Sequence, residues 1–366
     1  MPPKSKYRKL GKILLFIAVN ILFTAVVGWI AYTNRVKIKK WSDHDNSFSK
    51  EDKVLMYDIF SSPLIDNESE LLLPPVKNSD DLINYLVTST LPDSLDLLAI
   101  FDNCRVVSAD KYRGDILRIK YALYNDTLES YAYFTKTNKA NKENSEVIIY
   151  TSGTGEDRTR NVAHRLVSNE DPVNEAEQTG ADIYFPIFPA DDILAIHDGK
   201  KMLDIKKIAS YLVSINRNIP LRYLANIFAL EKYLRSNYSV VNAWGHSRGS
   251  ITATITASIF LPDTLIANSG YAVSLEKYFR LGPDQMWWPH SFDYLNKNTI
   301  KSRLCGKKTK TFFLYGKKEA EDIYGLETWM HYTELFFKDC SNIKVKYTDK
   351  NHVWSSKDIS EIFAGK

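Results

Sequence analysis

The sequence has 366 residues, 44% hydrophobic and 25% charged, the make-up of an ordinary globular protein able to bury a substantial core in one or two domains. The excess behind its formal net charge of +4 lies in the first forty residues, and the near-neutral remainder argues against a nucleic-acid partner. Three cysteines are too few for a disulfide scaffold, and their odd number leaves at least one without a partner in the chain.

Residues 1–12 form a basic tail carrying Lys4, Lys6, Arg8, Lys9 and Lys12. Residues 13–32 carry no charge, and about twenty helical residues span roughly 30 Å, the thickness of a bilayer core. This predicts a single transmembrane helix. Arg35, Lys37, Lys39 and Lys40 follow it, so the flanking charges nearly balance and bias the orientation only weakly toward tail inside, body outside. A cleaved signal peptide is the rival reading. It fits less well, because the apolar stretch is long and ends in Trp29, Ile30, Ala31 and Tyr32 rather than at a small-residue cleavage site. Residues 33–53 are polar and read as a linker. Residues 54–104 hold short helical patterns, one starting at Asp80 and Asp81, interrupted by Pro74 and Pro75, and read as a helical N-terminal extension.

A different pattern runs over 105–366. Residues 116–123 and 130–135 alternate apolar and polar, with Asn125 and Asp126 suited to a turn, which predicts an antiparallel hairpin. Residues 147–150 are a continuous apolar run, as in a strand covered on both faces, and end in Thr151-Ser152-Gly153-Thr154-Gly155. Residues 183–188 are a further strand, weakened by Pro186. Asp191, Asp192, His197 and Asp198 come next. Their spacing matches no metal motif, so they read as turn formers and caps, and neither metal nor cofactor is expected. A helix begins at about Pro220, with an apolar stripe on which Glu231 and Arg235 intrude. Strands at 240–244, 264–267, 311–315 and 343–347 complete the series. An antiparallel hairpin followed by strands alternating with helices predicts an α/β fold, its central sheet mostly parallel and covered by helices on both faces.

Gly245-His246-Ser247-Arg248-Gly249 matches G-x-S-x-G. The pentapeptide alone is a weak signal. Its place between an apolar strand and the small, apolar residues 251–260 makes it a strong one, because a sharp strand-to-helix turn lifts the serine hydroxyl above the sheet. Ser247 is the expected nucleophile. His246 is expected to turn away from the reaction as support for the turn, with a tentative place in the substrate pocket.

On these residues the sequence resembles the α/β-hydrolase superfamily over 105–366. Within it, the hairpin and a lid at about 273–309 resemble esterases of the dienelactone-hydrolase and acetyl-esterase type. The resemblance implies a serine–histidine–acid triad in that chain order. The histidine is His352, just after the last strand; His331 falls in a helix and His290 in the lid. The acid falls after the strand that ends at Tyr315, where the family's aspartate position holds Glu319; Asp322 is the alternative and Glu321 the third choice. The oxyanion donors are the N–H of Arg248 and one from the loop after Tyr150, at Thr154. Gly153, Gly155, Trp287 and Trp288 are tentative pocket residues, and the two tryptophans read equally well as loop packing.

Cys305 and Cys340 each precede one of the last two strands. A disulfide is geometrically possible if those strands are adjacent, while two buried thiols are the favoured reading. Asn67, Asn125 and Asn237 head N-x-S/T sequons, which matter only in a glycosylating host. The expected activity is hydrolysis of a carboxylic ester, small-molecule, lipid or cell-envelope, by a membrane-anchored enzyme. The alternatives are an acyltransferase or peptidase using the same triad, or a partner-binding protein on a hydrolase scaffold.

Overall fold

The computed structural model describes residues 90–92, 95–137, 145–153, 158–167, 170–189, 217–270, 297–318, 326–350, 352 and 354–363. The chain divides into two compact units, Met1–Asp58 and Ile59–Lys366, and every described residue belongs to the second. The expected transmembrane helix at 13–32, the linker and most of the N-terminal extension lie outside the described residues, as do Asp80, Asn67 and the cluster of Asp191, Asp192, His197 and Asp198. Among the described residues no helix is long and apolar enough to cross a membrane.

The described part of the extension is β1 (Leu91–Pro92) and α1 (Leu97–Asn103). Three antiparallel strands follow: β2 (Arg105–Arg113), β3 (Ile116–Leu123) and β4 (Asp126–Thr135). Strict alternation in β3 turns Leu117, Ile119, Tyr121 and Leu123 to the core. The β3–β4 turn falls on Tyr124 and Asn125, one residue earlier than expected, because Leu123 already faces Asp126 across the ladder and Tyr124 takes φ 53°. Strand β2 was missed in the sequence, since an edge strand with one wet face need not show a run of apolar residues.

The parallel block comprises β5 (Glu146–Thr151), β6 (Asp182–Pro186), β8 (Val240–His246), β9 (Thr264–Asn268), β10 (Lys310–Gly316) and β11 (Ile343–Thr348). The two-residue β7 (Arg217–Asn218) pairs separately with β1. The nine-stranded sheet runs β11-β10-β9-β8-β5-β6-β4-β3-β2, and its direction reverses only among β6, β4, β3 and β2. Pro186 costs little because it is the last residue of its strand.

Helices cover both faces. On one lie α4 (Ile219–Arg235), α5 (Arg248–Phe260) and α6 (Lys297–Leu304); on the other lie α2 (Arg158–Ala163), α3 (Pro172–Thr179) and α8 (Ser356–Phe363). Among the described residues a further helix, α7 (Leu326–Phe337), precedes β11. Asn218 caps α4, its side chain accepting from the Leu221 N–H at 3.3 Å, with Pro220 in the first turn. The two charges on its apolar stripe pair with each other, Arg235 Nε to Glu231 Oε1 at 3.0 Å, and Arg235 reaches Asp263 as well. All of α5 is buried, and its threonine and Ser258 hydroxyls donate back to carbonyls about one turn earlier, as Thr254 does to Ser250 at 2.8 Å. Part of the expected lid proves to be core. Helix α6 buries Ile300 and Leu304 completely, so within 273–309 only residues before 297 remain available for a lid, and 271–296 lie outside the described residues.

The adjacent strands β5 and β8 define the place where a site can form. From β5 the chain leaves toward β6, and from β8 toward β9 on the opposite side. Connections that part in this way open a crevice at the carboxyl ends of the two strands.

Candidate active site

At that crevice β8 ends and α5 begins, with Ser247 between them at φ 55° and ψ −120°. Positive φ in a residue with a side chain is strained and persists only where its surroundings enforce it. Here the Ser247 N–H donates to the Asn268 carbonyl at 2.9 Å, and its own carbonyl accepts from the Ser250 N–H at 3.0 Å. The flanking glycines supply space. A Cβ at Gly245 would lie 2.1 Å from the Gly249 carbonyl oxygen, and one at Gly249 would lie 1.8 Å from that of Thr151. Backbone packs on backbone at both points, which is the physical content of the G-x-S-x-G spacing.

The loop after β5 runs beside the serine. Thr151 Oγ1 donates to the Gly249 carbonyl at 2.7 Å and ties loop to elbow. A Cβ at Gly153 would stand 3.3 Å from Ser247 Cβ and 3.8 Å from its Oγ, so Gly153 adjoins the hydroxyl. Thr154 and Gly155 lie outside the described residues. Arg248 opens α5, where backbone N–H groups lack intrahelical acceptors. Its guanidinium is 4.7 Å from the centre of the Phe188 ring and is buried.

His352 follows β11 at the same carboxyl edge and is half-buried, while His331 on α7 is exposed. The His352 ring centroid lies 5.0 Å from that of His246, whose neighbour in the chain is Ser247. The acid candidates Glu319, Glu321 and Asp322, and the pocket candidates Trp287 and Trp288, lie outside the described residues, as does His290.

His246 needs its tentative pocket assignment corrected. Only 3% of the residue is exposed, and its ring centre lies 5.3 Å from that of Trp354 with the two rings nearly perpendicular. One ring nitrogen, Nε2, is 2.9 Å from the His352 carbonyl oxygen; the other, Nδ1, is 3.1 Å from Glu170 Oε1. Glu170 is buried as well and takes the Tyr150 hydroxyl on Oε1 and Arg158 on Oε2. Burial pushes the Tyr150 hydroxyl well above the usual phenol range, against the weaker pull of Arg158, so it stays protonated and donates. Glu170 went unread in the sequence. It sits in a polar loop just before the Asp171-Pro172 helix start, and a solvated loop is what that composition suggests.

No protein-family model matches the sequence, and no curated protein matches it with significance. Solved structures resemble the chain in fold. Est1E from Butyrivibrio proteoclasticus is 12% identical with a TM-score of 0.42, over 68% of this chain and 98% of that one. A carbohydrate esterase family 15 glucuronoyl esterase from Caldicellulosiruptor kristjansonii is 12% identical with a TM-score of 0.46, over 78% and 82%. An esterase from Pyrococcus furiosus is 13% identical with a TM-score of 0.37, over 71% and 83%. Likeness this distant assigns no residue, and the site rests on its own geometry.

Proposed function

We propose that the chain is a membrane-anchored serine hydrolase that cleaves a carboxylic ester through an acyl-enzyme. The observation that carries the reading is Ser247 itself, held at φ 55° on a strand-to-helix elbow between two glycines that tolerate no side chain. Strain at such a position is retained where the half-buried hydroxyl has work to do.

In this reading Ser247 Oγ attacks the ester carbonyl while His352 accepts its proton. The carboxylate of Glu319, with Asp322 as alternative, orients the histidine. The N–H groups of Arg248 and Thr154 receive the oxyanion, and Gly153 and Gly155 let the substrate approach. Collapse of the tetrahedral intermediate expels the alcohol, which takes the proton from His352. Water, deprotonated by the same histidine, then releases the acid and restores the serine. Trp287 and Trp288 would line the acyl pocket. The residues at 13–32 would hold the enzyme beside lipid or envelope esters, and the disulfide between Cys305 and Cys340 supports a body on the oxidising side of the membrane.

The test treats the full-length chain in detergent with a fluorophosphonate probe and with p-nitrophenyl esters of increasing chain length. Labelling and turnover should both vanish in Ser247→Ala, and turnover should fall by about 10⁴-fold or more in His352→Ala. A folded wild-type chain that neither labels nor turns over would leave a binding protein on a hydrolase scaffold.

A further inference from the structure

Next to the elbow, at His246, lies a buried charged cluster to which the proposed hydrolysis gives no role. The His246 ring spans from the Glu170 carboxylate to the His352 main chain. A carbonyl oxygen only accepts, so Nε2, 2.9 Å from that of His352, carries a hydrogen. Nδ1 faces Glu170 Oε1 at 3.1 Å. That carboxylate already receives the Tyr150 hydroxyl and Arg158, and both favour its ionised form. A neutral imidazole would leave an uncharged ring 3.1 Å from that buried carboxylate, whereas an imidazolium gains the attraction of the opposite charge. The groups facing His246 are Glu170 from the loop before α3, the His352 ring and carbonyl after β11, and the Trp354 ring; Tyr150 and Arg158 both reach Glu170.

We propose that Glu170 and His246 are a positioning pair, in which a doubly protonated His246, held by Glu170, grips the His352 carbonyl and sets that segment against Ser247. This rests on reading Ser247 as nucleophile and His352 as base. His246 is bonded in the chain to Ser247, so one side chain ties the nucleophile's backbone to the base's backbone. Neither member touches the substrate. Their effect is on placement, where an error on the order of 1 Å can cost about 10²-fold in rate.

Two substitutions separate the ring's two contacts. His246→Gln puts an amide nitrogen near the place of Nε2 and keeps a donor for His352; His246→Asn puts one near Nδ1 and keeps only the Glu170 side. In full-length chain, the Asn variant should lose about 10²-fold in kcat for a p-nitrophenyl ester with little change in KM, and the Gln variant should recover most of it. Histidine 15N NMR of the wild type at pH 7 to 8 should show both ring nitrogens of His246 protonated, and Glu170→Gln should convert the ring to a single tautomer. Turnover by His246→Asn equal to wild type, or a singly protonated His246 in an active wild-type chain, would overturn the pair. A doubly protonated ring in a chain that takes no fluorophosphonate would instead overturn the hydrolase reading. Should the substitutions impair folding, the wild-type spectrum still decides whether Glu170 holds an imidazolium.

Discussion

The backbone of Ser247 costs on the order of 1–3 kcal/mol in its conformation, and the structure offsets that cost with two main-chain hydrogen bonds and close backbone packing. Different glycines around it should therefore fail differently. Gly249→Ala places a Cβ 1.8 Å from the Thr151 carbonyl oxygen, a backbone atom of a buried central strand that cannot swing aside. Its expected cost exceeds the roughly 1–3 kcal/mol of ordinary overpacking, read as loss of soluble chain or a large drop in Tm. Gly153→Ala meets Ser247 Cβ at 3.3 Å, the His246 carbonyl oxygen at 3.6 Å and Ser247 Oγ at 3.8 Å, all at or near ordinary contact distance. It should fold with a Tm within a few degrees of wild type while fluorophosphonate labelling slows by about tenfold, since the methyl group crowds the hydroxyl. Equal effects in the two variants would contradict this account of the elbow. Ser247 was legible in the sequence because everything that shapes it is local: a strand, two glycines and a helix in one short stretch. Glu170 was not, because its meaning comes from His246, Tyr150 and Arg158, and no spacing along the chain marks that meeting.

Among the elements, the strands buried on both faces were the easiest to read, and the edges and helix boundaries the hardest. Residues 147–150 and 240–244 announce themselves because a central parallel strand has no wet face to fill with polar residues. Helix α6 passed for lid because its sequence, Lys297–Leu304, is polar apart from the few side chains that anchor it in the core. The same logic makes the contact between α3 and α8 a place to test burial. Glu175 on α3 is only 2% exposed, and burial pushes its carboxyl above the usual range, against hydrogen bonds involving Ser356 and Trp354 that pull it down. A carboxyl whose value is raised by folding stabilises the folded state fully below its unfolded value, and that contribution is lost as pH climbs through the folded one. Glu175→Gln does not titrate. Its Tm relative to wild type should therefore rise between pH 4 and pH 7, and a difference that is flat or falls with pH would show that the carboxylate is not penalised there.

For the whole molecule, the cysteines connect fold to compartment. Cys305 follows α6, Cys340 follows α7, and the structure joins them in a disulfide, correcting the expectation of two thiols. The reason is the sheet order: β10 and β11 are neighbours and parallel, so the segments entering them meet at one edge. Asn342 fastens the same edge, donating to the Leu304 and Thr309 carbonyls at 2.7 and 2.8 Å. The bond closes a 35-residue span that includes Glu319 and Asp322, and for a loop of that length chain entropy gives about 4 kcal/mol of stabilisation. Replacing both cysteines by serine should cost roughly that much in denaturant unfolding. The third cysteine, Cys104, is buried, and burial pushes its thiol up to about 11, which leaves it protonated and unreactive in the folded chain. Thiol counting on protein taken directly from its host then reports the compartment. A body outside the membrane should take no maleimide when native and one when denatured without reductant, at Cys104. Three on denaturation would mean that the pair is reduced in the cell, which contradicts an extracytoplasmic body, because two cysteines held this close would form and keep their disulfide in an oxidising compartment.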